Sequence, residues 1–154
     1  MSDEDYVIRP AEPADAAAIA ACVTAAYSVY LDRMDKPPGP MLDDYEQIIA
    51  DHRVFVLEGP EGLAGALVLI DQDGGLLLDN VAIHPDCQGR GLGRRLVAFA
   101  EDEARRLGHR SIDLYSHVTM TESIALYVSL GYLEFDRRVV RSYDRVYMRK
   151  TLSV

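Results

Sequence analysis

Three apolar segments separated by two turn clusters occupy the middle of the chain. The apolar segments are residues 54–57, 63–70 and 76–83, and the clusters between them are residues 59–62 (GPEG) and 71–75 (DQDGG). Apolar runs of this length, bounded by Gly, Pro and Asp, are typical of β-strands joined by tight turns. The segment therefore predicts a three-stranded antiparallel meander.

Helical patterns precede the meander. Residues 6–9 predict a short strand, and the alanine-rich residues 14–30 predict a long helix that begins after Pro13. Residues 41–50 predict a second helix. The KPPGP sequence at 36–40 separates the two helices, because proline removes a backbone donor and restricts the residue before it.

After the meander, apolar residues recur at helical spacing from Leu92 to Leu107, and Gly108 is placed to end that helix. The remaining predicted elements are a strand at 111–117, a helix at 122–130 and strands at 132–141 and 143–152. The order β-α-α-β-β-β-α-β-α-β-β predicts an α+β fold with a mixed, mostly antiparallel sheet flanked by helices. A chain of 154 residues suits one domain, over 1–154.

Charge is distributed unevenly along the chain. The net charge is −9, but residues 1–86 hold 17 acidic and 4 basic side chains, whereas residues 87–154 hold 8 and 12. An acidic chain is a poor binder of nucleic acid or of an anionic membrane. A phosphate site in the basic second half is compatible with this distribution.

Several features predict a cytoplasmic protein without metal or membrane contact. Cys22 and Cys87 match no paired metal-ligand spacing and no disulfide framework. The longest uncharged run, residues 16–31, is shorter than the roughly 20 apolar residues that a membrane-spanning helix needs. The acidic residues Asp3, Glu4 and Asp5 are the opposite of the basic start of a secretory signal.

A glycine-rich loop joins the last strand of the meander to the next helix. Gly89, Gly91 and Gly93 alternate with other residues, and Arg90, Arg94 and Arg95 add positive charge. Bare backbone N–H groups at a helix start suit a phosphate. A dinucleotide fold needs Gly-x-Gly-x-x-Gly, which is absent, so a nicotinamide-dependent oxidoreductase is disfavoured. A nucleotide-triphosphate loop needs Gly-Lys-Ser/Thr, which is also absent.

Two ordered motifs carry a family resemblance. Gln88-x-x-Gly91-x-Gly93, after the apolar residues 81–83, resembles the pyrophosphate-binding motif of the GNAT superfamily of acyl-CoA-dependent N-acyltransferases. The segment 124–132 (IALYVSLGY) is similar to that superfamily's helix with a leucine-tyrosine pair before a glycine and an aromatic residue. One departure is Met120, which stands where members often carry an asparagine.

The resemblance implies a function and a set of site residues. It implies an N-acetyltransferase that moves an acetyl group directly from acetyl-CoA to a primary amine of a small molecule or peptide, with Tyr127 as general acid. It also implies coenzyme A binding, largely through backbone groups, at Val81, Ala82, Ile83, Gln88, Gly89, Arg90, Gly91, Leu92, Gly93 and Arg94. The alternative is a CoA-binding sensor or interaction module of the same fold that has lost its activity.

The general base and the acceptor site stay open. Candidate bases are Asp79, His117, Tyr115 and Glu122. Tyr27, Tyr30 and Tyr115 are candidate substrate contacts. Acids near the first two helices favour a cationic acceptor. The final strands could form a dimer edge, so we expect a monomer or homodimer.

Overall fold

The computed structural model describes residues 5–153, and in them one seven-stranded sheet is covered by helices. The strands are β1 (Val7–Pro10), β2 (Arg53–Gly59), β3 (Gly62–Gln72), β4 (Gly75–Ile83), β5 (Ser111–His117), β6 (Leu133–Val140) and β7 (Tyr143–Thr151). The α-helices are α1 (Ala16–Tyr27), α2 (Tyr45–Asp51), α3 (Leu92–Arg106) and α4 (Thr121–Ser129). Asp3 and Glu4, which support the cytoplasmic prediction, lie outside the described residues.

The sheet has the strand order β1-β2-β3-β4-β5-β7-β6. Every neighbouring pair is antiparallel except β4 and β5, which are parallel and connected through α3. β2, β3 and β4 form the predicted meander. The α+β fold class and the order of its elements are therefore confirmed.

The two faces of the sheet are covered by different helices. On one face, Leu96 of α3 and Tyr127 of α4 pack with leucines of the meander such as Leu67. On the other face, Ile19 of α1 and Tyr45 of α2 pack with valines of the same strands. Removing this apolar surface from water on both faces is the main stabilising contribution to the sheet.

The first two helices differ from their predicted bounds. α1 is an α-helix only over Ala16–Tyr27, with 3-10 turns at Pro13–Asp15 and Ser28–Arg33. α2 begins later than predicted, at Tyr45, because the side chain of Asp44 accepts hydrogen bonds from the N–H groups of Glu46 and Gln47 and caps the helix.

One helical stretch is long and apolar enough to cross a membrane by length and composition alone. Pro13–Arg33 contains 21 residues, with a mean hydropathy of 1.4 in its most apolar part. In the fold, Ala16, Ile19 and Val23 of this stretch pack against the sheet. The apolar face of this helical stretch therefore forms part of the core of the domain.

An irregularity in β4 opens the sheet. Asn80 pairs with Val68 and Leu78 pairs with Leu69, so Asp79 is an extra residue that forms a β-bulge. On its other side β4 pairs with β5 only at Leu77 and Leu78. Beyond Leu78 the two parallel strands diverge, which leaves a cleft between their carboxyl ends.

Candidate active site

Two adjoining pockets occupy the cleft between β4 and β5. The first, here the glycine-loop pocket, is lined by residues 81–83, Cys87, Gln88 and the glycines that precede and begin α3. The second, here the inner pocket, includes Asp79, Tyr115, His117 and Arg145. The residues that line both are Tyr27, Val81, Ser123 and Tyr127. A molecule that filled one pocket would therefore meet a molecule in the other at Tyr127.

The glycine-loop pocket depends on backbone conformation. Gly89 has a φ of 82° and Gly91, the N-cap of α3, a φ of 76°, in the left-handed region that favours glycine. A Cβ at either position would meet nothing within 4 Å, so conformation rather than space requires glycine. The first N–H groups of α3 have no partner within the helix and lie at its positive end. The pocket thus suits a phosphate group.

Most of the predicted coenzyme A residues lie together here. Those that line the glycine-loop pocket are Val81, Ala82, Ile83, Gln88, Gly89, Gly91, Leu92 and Gly93. Arg90 and Arg94 do not line it. The Arg90 guanidinium donates a 3.0 Å hydrogen bond to the Tyr6 hydroxyl, and Arg94 is exposed on α3.

Tyr127 is held by the end of α4. Gly131, with a φ of 99°, follows the helix, and the N–H of Tyr132 donates a 3.0 Å hydrogen bond to the Tyr127 carbonyl. The rings of Tyr127 and Tyr132 contact edge to face at 5.9 Å. Burial raises the pKa of Tyr127 to about 12, so its hydroxyl keeps its proton at neutral pH. Among residues 5–153 no protein group hydrogen-bonds that hydroxyl.

Asp79 and Tyr115 form a hydrogen-bonded pair across the cleft. The Tyr115 hydroxyl donates to Oδ1 of Asp79 at 2.7 Å. Burial raises the pKa of Asp79, whereas the hydrogen bond from Tyr115 and the charge of Arg145 lower it. Burial and the adjacent carboxylate also hold the pKa of Tyr115 well above its usual value. The structure thus places a carboxylate with a raised pKa in the inner pocket.

The other candidate bases are engaged with protein groups. The backbone N–H of Thr119 donates to Nδ1 of His117 at 3.2 Å, and the Thr119 hydroxyl lies 2.8 Å from the same nitrogen. Neutral His117 therefore carries its proton on Nε2, and burial lowers its pKa. Glu122 pairs with Arg33 at 2.9 Å, which lowers the pKa of Glu122. The pKa of Asp79 is thus raised by its surroundings, whereas the pKa values of His117 and Glu122 are lowered.

The predicted acceptor tyrosines are tied into hydrogen bonds. Tyr27 donates to Oδ1 of Asn80 at 2.8 Å, Nδ2 of Asn80 donates to the Tyr45 hydroxyl at 3.1 Å, and Tyr45 donates to the Pro40 carbonyl at 2.6 Å. The Tyr30 hydroxyl lies 3.3 Å from Oγ of Ser123. These groups join α1, β4, α2 and the proline-rich loop into one wall of the cleft.

Several residues that line the cleft were not predicted as site residues. They include Asn80, Ser123 and Arg145. Asn80 had a detectable signal, because two successive polar residues, Asp79 and Asn80, interrupt an apolar strand where a bulge is common. Met120, at the position where the superfamily often has asparagine, is buried and lines the inner pocket. Within residues 5–153 no three His, Cys, Asp or Glu side chains are grouped as metal ligands.

Comparison with known proteins assigns the family. The model of the acetyltransferase (GNAT) family matches residues 23–132, from the middle of α1 to Tyr132. The chain belongs to the GNAT family. Both pockets are built mainly from residues within this match, and GNAT proteins are acetyl-CoA-dependent acyltransferases.

Individual relatives match shorter parts of this GNAT chain. It is 38% identical over 63 residues to mycothiol acetyltransferase from Renibacterium salmoninarum, which covers 41% of this chain and 19% of that protein. It is 40% identical over 57 residues to the ribosomal protein bS18-alanine N-acetyltransferase from Escherichia coli, covering 37% of this chain and 38% of that one. The chain thus spans well under half the length of either relative.

A solved GNAT structure has the same fold over nearly the whole chain. YncA from Salmonella typhimurium, solved with its cofactor acetyl-CoA, superposes with a TM-score of 0.72 and 25% identity. The match covers 97% of this chain and 95% of that protein.

Proposed function

We propose that this protein is an N-acetyltransferase that moves an acetyl group from acetyl-CoA directly to a primary amine of a small molecule or peptide. One observation carries the proposal: Tyr127 lies where the glycine-loop pocket meets the inner pocket that holds Asp79. Direct transfer needs donor and acceptor to meet at such a point, with a base on one side and an acid at the junction.

The glycine-loop pocket would hold the donor. Backbone N–H groups between Gln88 and Arg94 would bind the pyrophosphate, as the positive end of α3 favours. Past Leu78, no strand within residues 5–153 pairs with β4 on the β5 side, so backbone groups of Val81 and Ile83 are placed to pair with the extended pantetheine arm. The acetyl-CoA complex of YncA supports the choice of donor.

The chemistry requires three proton transfers. Asp79, directly or through a water, accepts a proton from the acceptor ammonium group and passes it to solvent. The amine nitrogen then attacks the thioester carbonyl carbon, a C–N bond forms and the C–S bond breaks. Tyr127 donates its hydroxyl proton to the departing sulfur, and the second proton, released by the acylated nitrogen, returns to the Tyr127 oxygen. The raised pKa of Asp79 brings its basicity closer to neutral pH, and that of Tyr127 keeps the acid protonated.

We also propose a cytoplasmic location and a monomer or homodimer. Cys22 and Cys87 are both free thiols, which fits a reducing compartment. The edge strand β6 exposes Leu133 and Val139, which are 73% and 72% exposed, and this surface could form a dimer edge. Size-exclusion chromatography with light scattering separates the two states.

The test of the activity is coenzyme A release. The purified protein is incubated with acetyl-CoA and a panel of polyamines, amino acids, aminoglycosides and short peptides, and free thiol is measured. We expect thiol release that depends on the amine and a product heavier by one acetyl group. Tight acetyl-CoA binding without turnover on any amine would instead identify the CoA-binding sensor or interaction module.

A further inference from the structure

Of the described side chains, no acid forms an ion pair with the arginine of the inner pocket. Eight arginines within residues 5–153 form ion pairs with carboxylates, namely Arg9, Arg33, Arg53, Arg105, Arg106, Arg137, Arg138 and Arg149. Arg145 of β7 does not, although it is partly buried: in the described part of the chain no carboxylate oxygen lies within 4.0 Å of its guanidinium nitrogens. A guanidinium offers five N–H donors. Nη1 has one long hydrogen bond, 3.4 Å, to the Tyr147 hydroxyl.

Tyr115 keeps Arg145 and Asp79 apart. Its hydroxyl binds Asp79 at 2.7 Å, while the Arg145 guanidinium lies over its ring, 4.1 Å from the centroid. The carboxylate is thus held at the edge of the ring and the cation at its face, both on the inner pocket. Within residues 5–153 neither Asp79 nor Arg145 forms an ion pair, so each charge is available to a bound molecule.

The outer mouth of the inner pocket has mixed charge. It is lined by Lys36, Arg141 and Arg145 as well as by Asp43 and Asp79. Lys36 lies over the Tyr143 ring at 3.9 Å and donates to the Arg141 carbonyl. The acids that favoured a cationic acceptor are largely elsewhere: Asp44 caps α2, and Asp32 and Asp35 are exposed. A purely cationic acceptor would meet like charge at Arg145.

We propose that the acceptor is a free amino acid, whose amine binds beside Asp79 and whose carboxylate binds the Arg145 guanidinium. This inference rests on the proposed function and names its substrate class. Guanidinium and carboxylate pair through two parallel hydrogen bonds, which fix the orientation of the bound molecule. Arg145, Asp79 and Tyr127 line the same pocket, so an amino acid anchored at Arg145 by its carboxylate places its amine in the pocket that holds the other two residues.

The experiment compares free amino acids with their carboxamides. Each pair has the same side chain and amine, and the rates are expressed per neutral amine so that the lower amine pKa of the carboxamide does not bias the comparison. We expect kcat/KM at least tenfold higher for the free acids. Peptides that begin with glutamate test whether a side-chain carboxylate can substitute, and we expect them to be poorer acceptors than the free acids.

Substitutions of Arg145 test whether this residue causes the preference for free acids. Arg145→Met should remove the preference for the free acid, lowering its kcat/KM at least tenfold while the carboxamide changes less than threefold. Arg145→Lys should retain part of the preference. The matched control is Arg138→Met, because Arg138 also lies over a tyrosine ring, that of Tyr147 at 4.6 Å, but is paired with Asp136 and lines neither pocket. It should leave both rates unchanged. Melting temperatures confirm that each variant folds.

Two results would overturn the inference. The first is a kcat/KM for carboxamides, or for simple amines, that equals the kcat/KM for free acids. The second is an Arg145→Met variant in which both activities fall equally, which would mean that Arg145 only positions Tyr115. Either leaves the acetyltransferase function intact. If no amine releases coenzyme A, the proposed function fails. Calorimetric titration of the coenzyme A-loaded protein with free acids and carboxamides still decides the inference, since stronger binding of the free acid supports it and equal binding refutes it.

Discussion

Tyr115 and Asp79 are joined by a 2.7 Å hydrogen bond across the point where β4 and β5 separate. The two residues lie 36 positions apart in the chain, and their hydrogen bond lowers the pKa of the Asp79 carboxyl. Burial and hydrogen bonding act in opposite directions on the Asp79 carboxyl, with burial the larger influence. Removing the hydroxyl oxygen of Tyr115 should therefore change the pKa of Asp79.

Replacing Tyr115 by Phe should shift the pH dependence of the reaction. The variant keeps the ring under Arg145 but loses the hydrogen bond that lowers the pKa of Asp79, so that pKa rises further. The ascending limb of kcat/KM against pH should therefore move to higher pH. The acceptor amine ionises identically in both experiments, so the displacement reports on the enzyme. A limb that stays in place would show that Asp79 is not the base.

Asp79→Asn should lower turnover at least tenfold while favouring the folded state at neutral pH. The pKa of Asp79 is raised in the folded state. Near pH 3 the carboxyl is protonated in both the folded and the unfolded state, so it has little effect on the free energy of unfolding. As pH rises through the folded-state pKa, ionisation of the buried carboxyl destabilises the folded state. The free energy of unfolding of the variant, relative to the parent, should thus increase from pH 3 to pH 7. Urea titrations at both pH values measure this, and a relative decrease would contradict it.

Tyr127→Phe and Tyr132→Phe should have opposite signatures. Removal of the Tyr127 hydroxyl should lower kcat at least tenfold, about 1.4 kcal/mol of barrier, with acetyl-CoA affinity unchanged. Tyr132 lines neither pocket and donates a 3.0 Å hydrogen bond to buried Glu101. Its replacement should cost about 1–2 kcal/mol of stability with turnover per folded molecule preserved. Similar losses of kcat in both variants would argue against Tyr127 as the acid.

The two thiols should differ in reactivity. Burial raises the pKa of Cys22 to about 11, whereas Cys87 is partly exposed and lines the glycine-loop pocket. Iodoacetamide at neutral pH should alkylate Cys87 first and reach Cys22 only on unfolding. Acetyl-CoA should slow the labelling of Cys87 at least tenfold, measured by mass spectrometry. A labelling rate of Cys87 that acetyl-CoA does not change would mean that the donor binds elsewhere.

The fold could be predicted because its signals are local. The meander and its glycine turns, and the end of α3 at Gly108, all lie within short windows of sequence. Ser111–His117 coincides with its prediction. The bounds that shifted most, at α1 and α2, depend on 3-10 turns and on the Asp44 cap, which the spacing of apolar residues does not indicate.

The site was harder to predict from the sequence because its contacts join residues far apart in the chain. Asn80 meets Tyr27 across 53 positions, and Arg145 reaches Tyr115 only because β7 inserts between β5 and β6. Sequence reasoning could name Asp79, Tyr115 and His117 as candidate bases, but the hydrogen bonds that distinguish them follow from tertiary structure. The roles of these residues stay predictions.

The extra residue at position 79 also reverses which face of the sheet the later side chains of β4 point to. Leu76 and Leu78 face the α3 side of the sheet, whereas Ala82, likewise an even position, faces α1, and Val81 and Ile83 now take the α3 side. Because side chains alternate with a period of two, one inserted residue reverses every later position. Substitution can remove the carboxylate, but deletion would turn Val81 and Ile83 toward the wrong helix. The strand thus needs a residue here for its packing, whichever side chain that residue carries.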